Sequence, residues 1–192
     1  MNKKKILRFF LDLLETLAIS LAIFLVVYIF FIQPHRVDGL SMYPNLKDGE
    51  YLLSDKMSYR FNEPQRGDVV IFHAPRAACY TFSECDFIKR IIGLPGETVE
   101  LRDGVFYING EGLMEPYISE GVRTMANGIN DALAPGKVIV LADDEYIVVG
   151  DNREDSSDSR SWGQIRRDDI LGKAFFSYWP PETIGVIGRA GI

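Results

Sequence analysis

Ser41 lies in the segment Gly39-Leu-Ser-Met-Tyr-Pro44, between a glycine that frees the backbone and a proline that stiffens it. A hydroxyl is a weak nucleophile until a neighbouring base takes its proton, and a lone serine in such a place more often bonds a turn, so the chemistry turns on finding the base. The chain has two histidines, His35 just after a long apolar run and His73 at the end of a strand-like run, neither with an evident acidic partner. A Ser-His-Asp triad is therefore not supported. Lys89 is the better candidate. It interrupts Phe87-Ile-Lys-Arg-Ile-Ile92, where strand alternation places it on the face of Phe87 and Ile91 and sets Arg90 on the other face as an ordinary charge. Lysine acts as a base only when neutral, and desolvation disfavours its ammonium form. Lowering its pKa from ~10.4 to ~7 corresponds to roughly 4–5 kcal/mol. The competing reading is an edge-strand lysine that faces solvent.

The third polar feature is the run from Gly150 to Arg160, GDNREDSSDSR, directly after an apolar strand. An EF-hand loop starting at Asp151 would need Gly at its sixth place and Glu at its twelfth, but Ser156 and Trp162 stand there. If the run is extended, Ser156, Asp158 and Arg160 share one face, so that a hydroxyl orients the lysine and an Asp-Arg pair braces the hydroxyl. With two separated histidines and no Cys-x-x-Cys, no metal is expected. Cys79 and Cys85 bracket five residues. They are read either as a disulfide, which a non-reducing compartment would permit, or as two free thiols, and neither has a catalytic role.

The elements that must position these groups fall into two parts. From Leu13 to Ile32 the chain is apolar apart from Glu15, a length that suits a bilayer-spanning helix. A charge at the bilayer centre costs roughly 2.5–3.5 kcal/mol, which puts Asp12 and Glu15 at the interface. Lys3, Lys4, Lys5 and Arg8 precede them, so the N-terminus is expected in the cytoplasm and everything from Gln33 onward outside it. A cleavable secretory signal is the alternative, but the run is long for one and Gln33-Pro34-His35-Arg36 follows it, with no small-x-small site. Residues 1–32 are thus read as basic tail and anchor, and 33–192 as the extracytoplasmic domain. Beyond the anchor, short apolar runs alternate with turn residues: 67–72, 87–92, 145–150, and a hairpin of 98–101 with 105–108 through Arg102-Asp103-Gly104. No long amphipathic helix follows Ile32, so the domain is expected to be mainly antiparallel β and not doubly wound. From Gln33 onward, 17 Lys and Arg face 25 Asp and Glu, which argues against a nucleic-acid surface. Ser41 lies nine residues after Ile32, hence at most ~30 Å from the helix end, close to the membrane. Met42 and Tyr43 are read as core packing or substrate contacts, with contact to lipid headgroups as the alternative.

With these residues laid out, the chain resembles the bacterial type I signal peptidases, the leader peptidase family of Ser/Lys-dyad endopeptidases. Ser-Met-Tyr-Pro-Asn-Leu at 41–46 is similar to the family's nucleophile block. Arg-Gly-Asp-Val-Val-Ile-Phe at 66–72 resembles a structural strand, Lys-Arg-Ile-Ile-Gly-Leu-Pro-Gly at 89–96 the lysine block, and 150–160 the last block. The blocks occur in family order, and the likeness extends from the anchor to the closing segment 172–180. The resemblance implies that Ser41 is the nucleophile and Lys89 the general base, with Ser156 placing the amine and Asp158 and Arg160 holding that surround. It also implies no cofactor and a shallow cleft that accepts small side chains, typically Ala, at the first and third positions before the cut. Gly39, Met42, Leu46, Phe87 and Ile88 match wall positions. The partners it implies are exported preproteins with signal peptides, and the lipid bilayer. Two departures stand out. Gly39 occupies the place where some members carry a serine that donates to the oxyanion, so that role would fall to the Ser41 N–H and a neighbouring backbone donor or water; Asn45 stands where Thr is commoner. A self-cleaving repressor-type peptidase would carry a DNA-binding module in place of the first 32 residues. A catalytically silent binding module would be expected to have lost Ser41 or Lys89.

Overall fold

The computed structural model describes residues 3–79, 85–126 and 132–191. It begins with α1 (Lys3–Phe30), a 28-residue helix about 42 Å long. None of its apolar window from Lys4 to Tyr28 is buried within the protein. A helix that is apolar all round and uncovered by protein needs a non-aqueous surrounding, and this one is long enough to cross a bilayer. The helix starts ten residues earlier than the expected Leu13 and stops at Phe30. Ile32, read from sequence as the end of the span, opens β1 (Ile32–Arg36) and pairs with Asp55 of β2 (Tyr51–Asp55). The join is tight, because the Phe31 N–H donates back to Val27 O and the Lys56 N–H donates to Phe31 O at 3.0 Å.

After β2 come a single helical turn, α2 (Ser58–Phe61), and then β3 (Val69–His73) and β4 (Asp86–Gly93). Next are β5 (Thr98–Arg102), β6 (Val105–Ile108), β7 (Glu111–Gly112), β8 (Val138–Val140) and β9 (Glu145–Val149). The chain closes with α3 (Ser159–Trp162), β10 (Ile165–Arg166), β11 (Ile170–Trp179) and β12 (Gly185–Val186). Among the described residues the larger sheet runs β1-β2-β11-β3-β4-β9-β10, with β12 added on β11, and a smaller one runs β7-β6-β5-β8. Their pairings are antiparallel. The mainly β reading holds.

Local chemistry explains the elements that the sequence made plain. Asp103 and Gly104 both take positive φ, +52° and +83°, the turn whose twist matches that of paired strands, and the hairpin register puts Arg102 opposite Val105. Asn109 and Gly110 repeat the device between β6 and β7. β3 is buried on both faces: Val70 and Phe72 pack with Ile91, Tyr146 and Val148, while Val69 and Ile71 pack with Met42, Leu52 and Ala174. Two-sided burial explains why β3 reads as an unbroken apolar run. A third cluster joins Val99, Phe106 and Ile108 of the small sheet to Ile92, Ile147 and Val149 of the large one. Cys79 and Cys85 are disulfide-bonded, closing the connection between β3 and β4.

Arg90 does not behave as the ordinary charge expected for it. It is 4% exposed, and its Nε and Nη2 clasp Asp151 at 2.8 and 2.6 Å while Nη1 donates to Gly67 O. Strand β4 is covered on both faces, so a cation on either face must bring its own partner. Removing one member leaves the other buried and bare. Asp151→Ala is expected to cost about 3–5 kcal/mol in denaturant unfolding, with the Arg90→Leu, Asp151→Leu pair recovering much of that loss.

Candidate active site

Ser41 sits on a tight turn between β1 and β2. The Tyr43 N–H donates to Leu40 O at 3.0 Å and the Leu46 N–H to Met42 O at 2.9 Å. Met42 and Leu46, 1% and 4% exposed, root this turn in the core cluster formed with Val69, Ile71 and Ala174. Met42 is sealed in the core, in keeping with its core-packing reading and not with lipid contact; Tyr43 remains half exposed. Lys89 lies at the middle of β4, between β3 and β9, on the face of Phe87 and Ile91 as alternation predicts. Its side chain leaves 4% of the residue exposed, and its Nζ sits 5.0 Å over the Phe87 ring.

Lys89 Nζ donates to Ser41 Oγ at 2.8 Å and to Ile88 O at 3.1 Å. Burial lowers the Lys89 pKa to about 8, against the pull of Asp158 and Asp151, which raise it; Arg160 lowers it further. A substantial fraction of the amine is therefore neutral near pH 8, and a neutral amine 2.8 Å from a hydroxyl is placed to accept its proton. The His73 Nδ1 meets Asp86 Oδ1 at 2.8 Å, an acidic partner that sequence reading did not find, and His35 bonds Ser54 Oγ. Neither histidine is hydrogen-bonded to the Ser41 hydroxyl, although Asp86 lines the same cleft.

The segment after β9 frames the pair, but not as an extended face. Asp158 caps α3, and Arg160 lies inside that helix. The Asp158 carboxylate accepts from the Gly150 N–H at 3.0 Å, from the Arg160 N–H, and from the Arg160 Nε and Nη2 at 2.8 and 2.9 Å. Arg160 Nη1 in turn donates to Met125 O and Arg153 O. Asp158 and Arg160 are ion-paired through a helix cap and not through alternation, and neither bonds the Ser156 hydroxyl. Ser156 has a buried hydroxyl without a hydrogen-bond partner among the described residues. Gly150 allows the approach: a Cβ there would lie 2.2 Å from Ser156 Oγ and 2.5 Å from Ser41 O.

A cleft of about 350 Å³ opens beside Ser41 and Lys89, walled by Gly39, Leu40, Met42, Phe87 and Ile88. Leu46 lies away from it, lining a separate cavity of about 380 Å³ with Glu50 and Ser177. Gly39 has φ +93°, and its N–H donates to Asp48 Oδ1 at 2.8 Å. Among the described residues no cluster of three His, Cys, Asp or Glu side chains is placed to hold a metal ion.

Asn45, Asp151 and Asn152 were missed from sequence. Asn45 Nδ2 donates to Asp151 Oδ2 and to Tyr117 O, both at 2.9 Å, tying the nucleophile turn to the Arg90–Asp151 pair. Asn152 bonds the backbone of Leu40 and Ser41. The available signal was a charged residue on each face of one apolar strand, which demands buried counter-charges from elsewhere in the chain.

This antiparallel β domain behind a single apolar helix has clear relatives. The profile described as "Signal peptidase, peptidase S26" matches residues 10–179. A protein of Synechocystis sp. named "Probable signal peptidase I-1" is 33% identical over 184 residues, covering 94% of this chain and 88% of that protein. "Signal peptidase I" of Leptolyngbya laminosa is 36% identical over 177 residues, covering 91% and 82%. "Signal peptidase IB" of Staphylococcus aureus is 35% identical over 178 residues, covering 88% and 90%. The chain belongs to the signal peptidase family, peptidase S26, and is a membrane-associated peptidase.

Holding Lys89 in the core carries a stability cost with a defined pH window. Its pKa is lowered from 10.5 in the unfolded chain to about 8, so below pH 8 the folded state carries a buried ammonium at a cost of about 3 kcal/mol. That cost fades as pH rises from 8 to 10.5. Lys89→Met is expected to unfold at higher denaturant than wild type at pH 7, with the difference shrinking toward zero by pH 10.5.

Proposed function

We propose that this protein is a membrane-bound serine endopeptidase that removes hydrophobic N-terminal signal peptides from exported preproteins after a small-x-small motif such as Ala-x-Ala. The observation that carries the reading is the buried Lys89 amine 2.8 Å from the Ser41 hydroxyl, on the wall of a cleft. Ser41 attacks the scissile carbonyl as neutral Lys89 takes its proton, and the lysine returns that proton to the leaving amine. Water then hydrolyses the acyl-enzyme with Lys89 again as base. The reaction uses side chains and water alone, without a cofactor.

Ser156, whose hydroxyl has no partner among the described residues, is assigned to steady the amine, with Asp158 and Arg160 holding its surround. Gly39, Met42, Phe87 and Ile88 shape a cleft whose core-packed walls favour small side chains. Leu46 acts from behind, by packing against Met42. Lys3, Lys4, Lys5 and Arg8, in the first turns of α1, favour a cytoplasmic N-terminus and a β domain on the far side of the membrane, with residues 33–192 as the peptidase domain and residues 1–32 as the tail and anchor. A cleft close to the end of that helix meets a preprotein whose signal helix is still in the bilayer.

The test is cleavage of a preprotein bearing Ala-x-Ala by the detergent-solubilised full chain. Wild type should cut after the second Ala, and Ser41→Ala and Lys89→Ala should each lose on the order of 10⁴-fold or more in kcat. Because the base must be neutral, wild-type kcat/KM should rise with pH through a midpoint near 8. An inert wild type, or an active Ser41→Ala, would sink the catalytic reading and leave a binding module.

A further inference from the structure

We infer that Asn152 is a positioning residue for the oxyanion hole, fixing the direction of the Ser41 N–H by holding the two consecutive carbonyls of Leu40 and Ser41 from the side away from the cleft. This rests on the serine-lysine reading and deepens it.

Asn152 reaches this backbone twice. Its main-chain N–H donates to Ser41 O at 3.0 Å, and its side-chain Nδ2 donates to Leu40 O at 3.1 Å. Among the described residues the cis peptide bonds are Tyr43-Pro44 and Trp179-Pro180, so the Leu40–Ser41 peptide is trans. In a trans unit the carbonyl and the following N–H point in opposite directions. Holding Leu40 O toward Asn152 therefore turns the Ser41 N–H away from it. Leu40 and Ser41 line the cleft, whereas Asn152 is absent from its walls, so away from Asn152 is toward the cleft. The Ser41 N–H makes no hydrogen bond among the described residues, which leaves it free for an incoming oxygen.

The same reasoning applies to the next peptide. Ser41 O, held by the Asn152 N–H, sets the direction of the Met42 N–H, and glycine at 150 lets the strand end come this close. Gly39 supplies no side-chain donor at this site, and its own N–H is taken by Asp48. The oxyanion then depends on backbone donors, whose value lies in being aimed before the charge develops. A peptide plane free to rock would have to be reoriented during the reaction.

The experiment compares Asn152→Ala and Asn152→Asp with wild type, in the full detergent-solubilised chain, on the Ala-x-Ala preprotein. The ionised Asp keeps the shape and the main-chain N–H but has no donor to offer Leu40 O. Both variants should lose about 10- to 100-fold in kcat, less than the ~10²–10³ seen when an oxyanion donor is removed outright. KM should stay within about threefold, the basic pH limb should keep its midpoint, and the melting temperature should be unchanged, because the side-chain bond lies at the surface. A peptide aldehyde ending in Ala, which forms a tetrahedral adduct with Ser41, should weaken in step with kcat/KM, while the cleaved product peptide binds as before. Wild-type kcat in both variants would overturn the inference, as would a loss that follows melting temperature, KM or the pH midpoint. An inert wild type or an active Ser41→Ala would instead strike at the serine-lysine reading beneath it.

Discussion

An amine is a base near neutral pH only if its protonated form is made costly, and the removal of the Lys89 side chain from water is the constraint around which this domain is arranged. It requires an interior strand flanked on both sides, which β4 has in β3 and β9, and an aromatic cover, which Phe87 supplies. It also requires that nearby carboxylates not restore the ammonium. Asp158 and Asp151 both act in that direction, and each is engaged by its own arginine, Arg160 and Arg90. Of the two arginines, Arg160 also opposes the carboxylates at the lysine, lowering its pKa. A buried pair is a modest source of stability, and its value here is in setting the local field.

A second constraint is steric. Three segments distant in sequence converge where Gly150 leaves β9: the Ser41 turn, the strand end and the Ser156 hydroxyl, with no room for a Cβ among them. The crowding locks the Ser41 backbone from behind while its side chain meets Lys89 in front. Asn45 extends the lock, because its amide joins the same turn to Asp151 and to the segment that holds Tyr117. The Ser41 turn is thereby tied to the segments that follow β7 and β9.

The helix enters this arrangement almost without a linker. Phe30 ends α1, Ile32 begins β1, and the Lys56 N–H donates to Phe31 O, so the sheet itself receives the helix end. The cleft beside Ser41 then begins at the end of β1, where Arg36 and Val37 already line it. A domain joined this way is held near whatever surface the helix is fixed in.

How much of this was legible depended on the range of the interaction. The 98–108 hairpin follows from Asp103 and Gly104 alone, because positive φ at both turn positions is a local demand. The apolar helix and the strand face of Lys89 follow from composition and alternation, and the four ordered motif blocks carried the family. The limits of the helix were less legible, since apolar residues at Ile32 satisfy a strand edge as readily as a bilayer. Arg90 looked ordinary because its carboxylate lies 61 residues away. His73 looked unpartnered because Asp86 faces it only once β3 and β4 pair. Ser156, Asp158 and Arg160 were recognised as a group but given the wrong geometry, because a cap bends the chain where alternation assumes it straight. The sequence by itself thus determined residue types, strand faces and a candidate nucleophile with a candidate base. Only the tertiary structure decided that Lys89 and Ser41, 48 residues apart, meet at 2.8 Å in a dry place, because burial and counter-charge are properties of the packed chain and not of any segment of it.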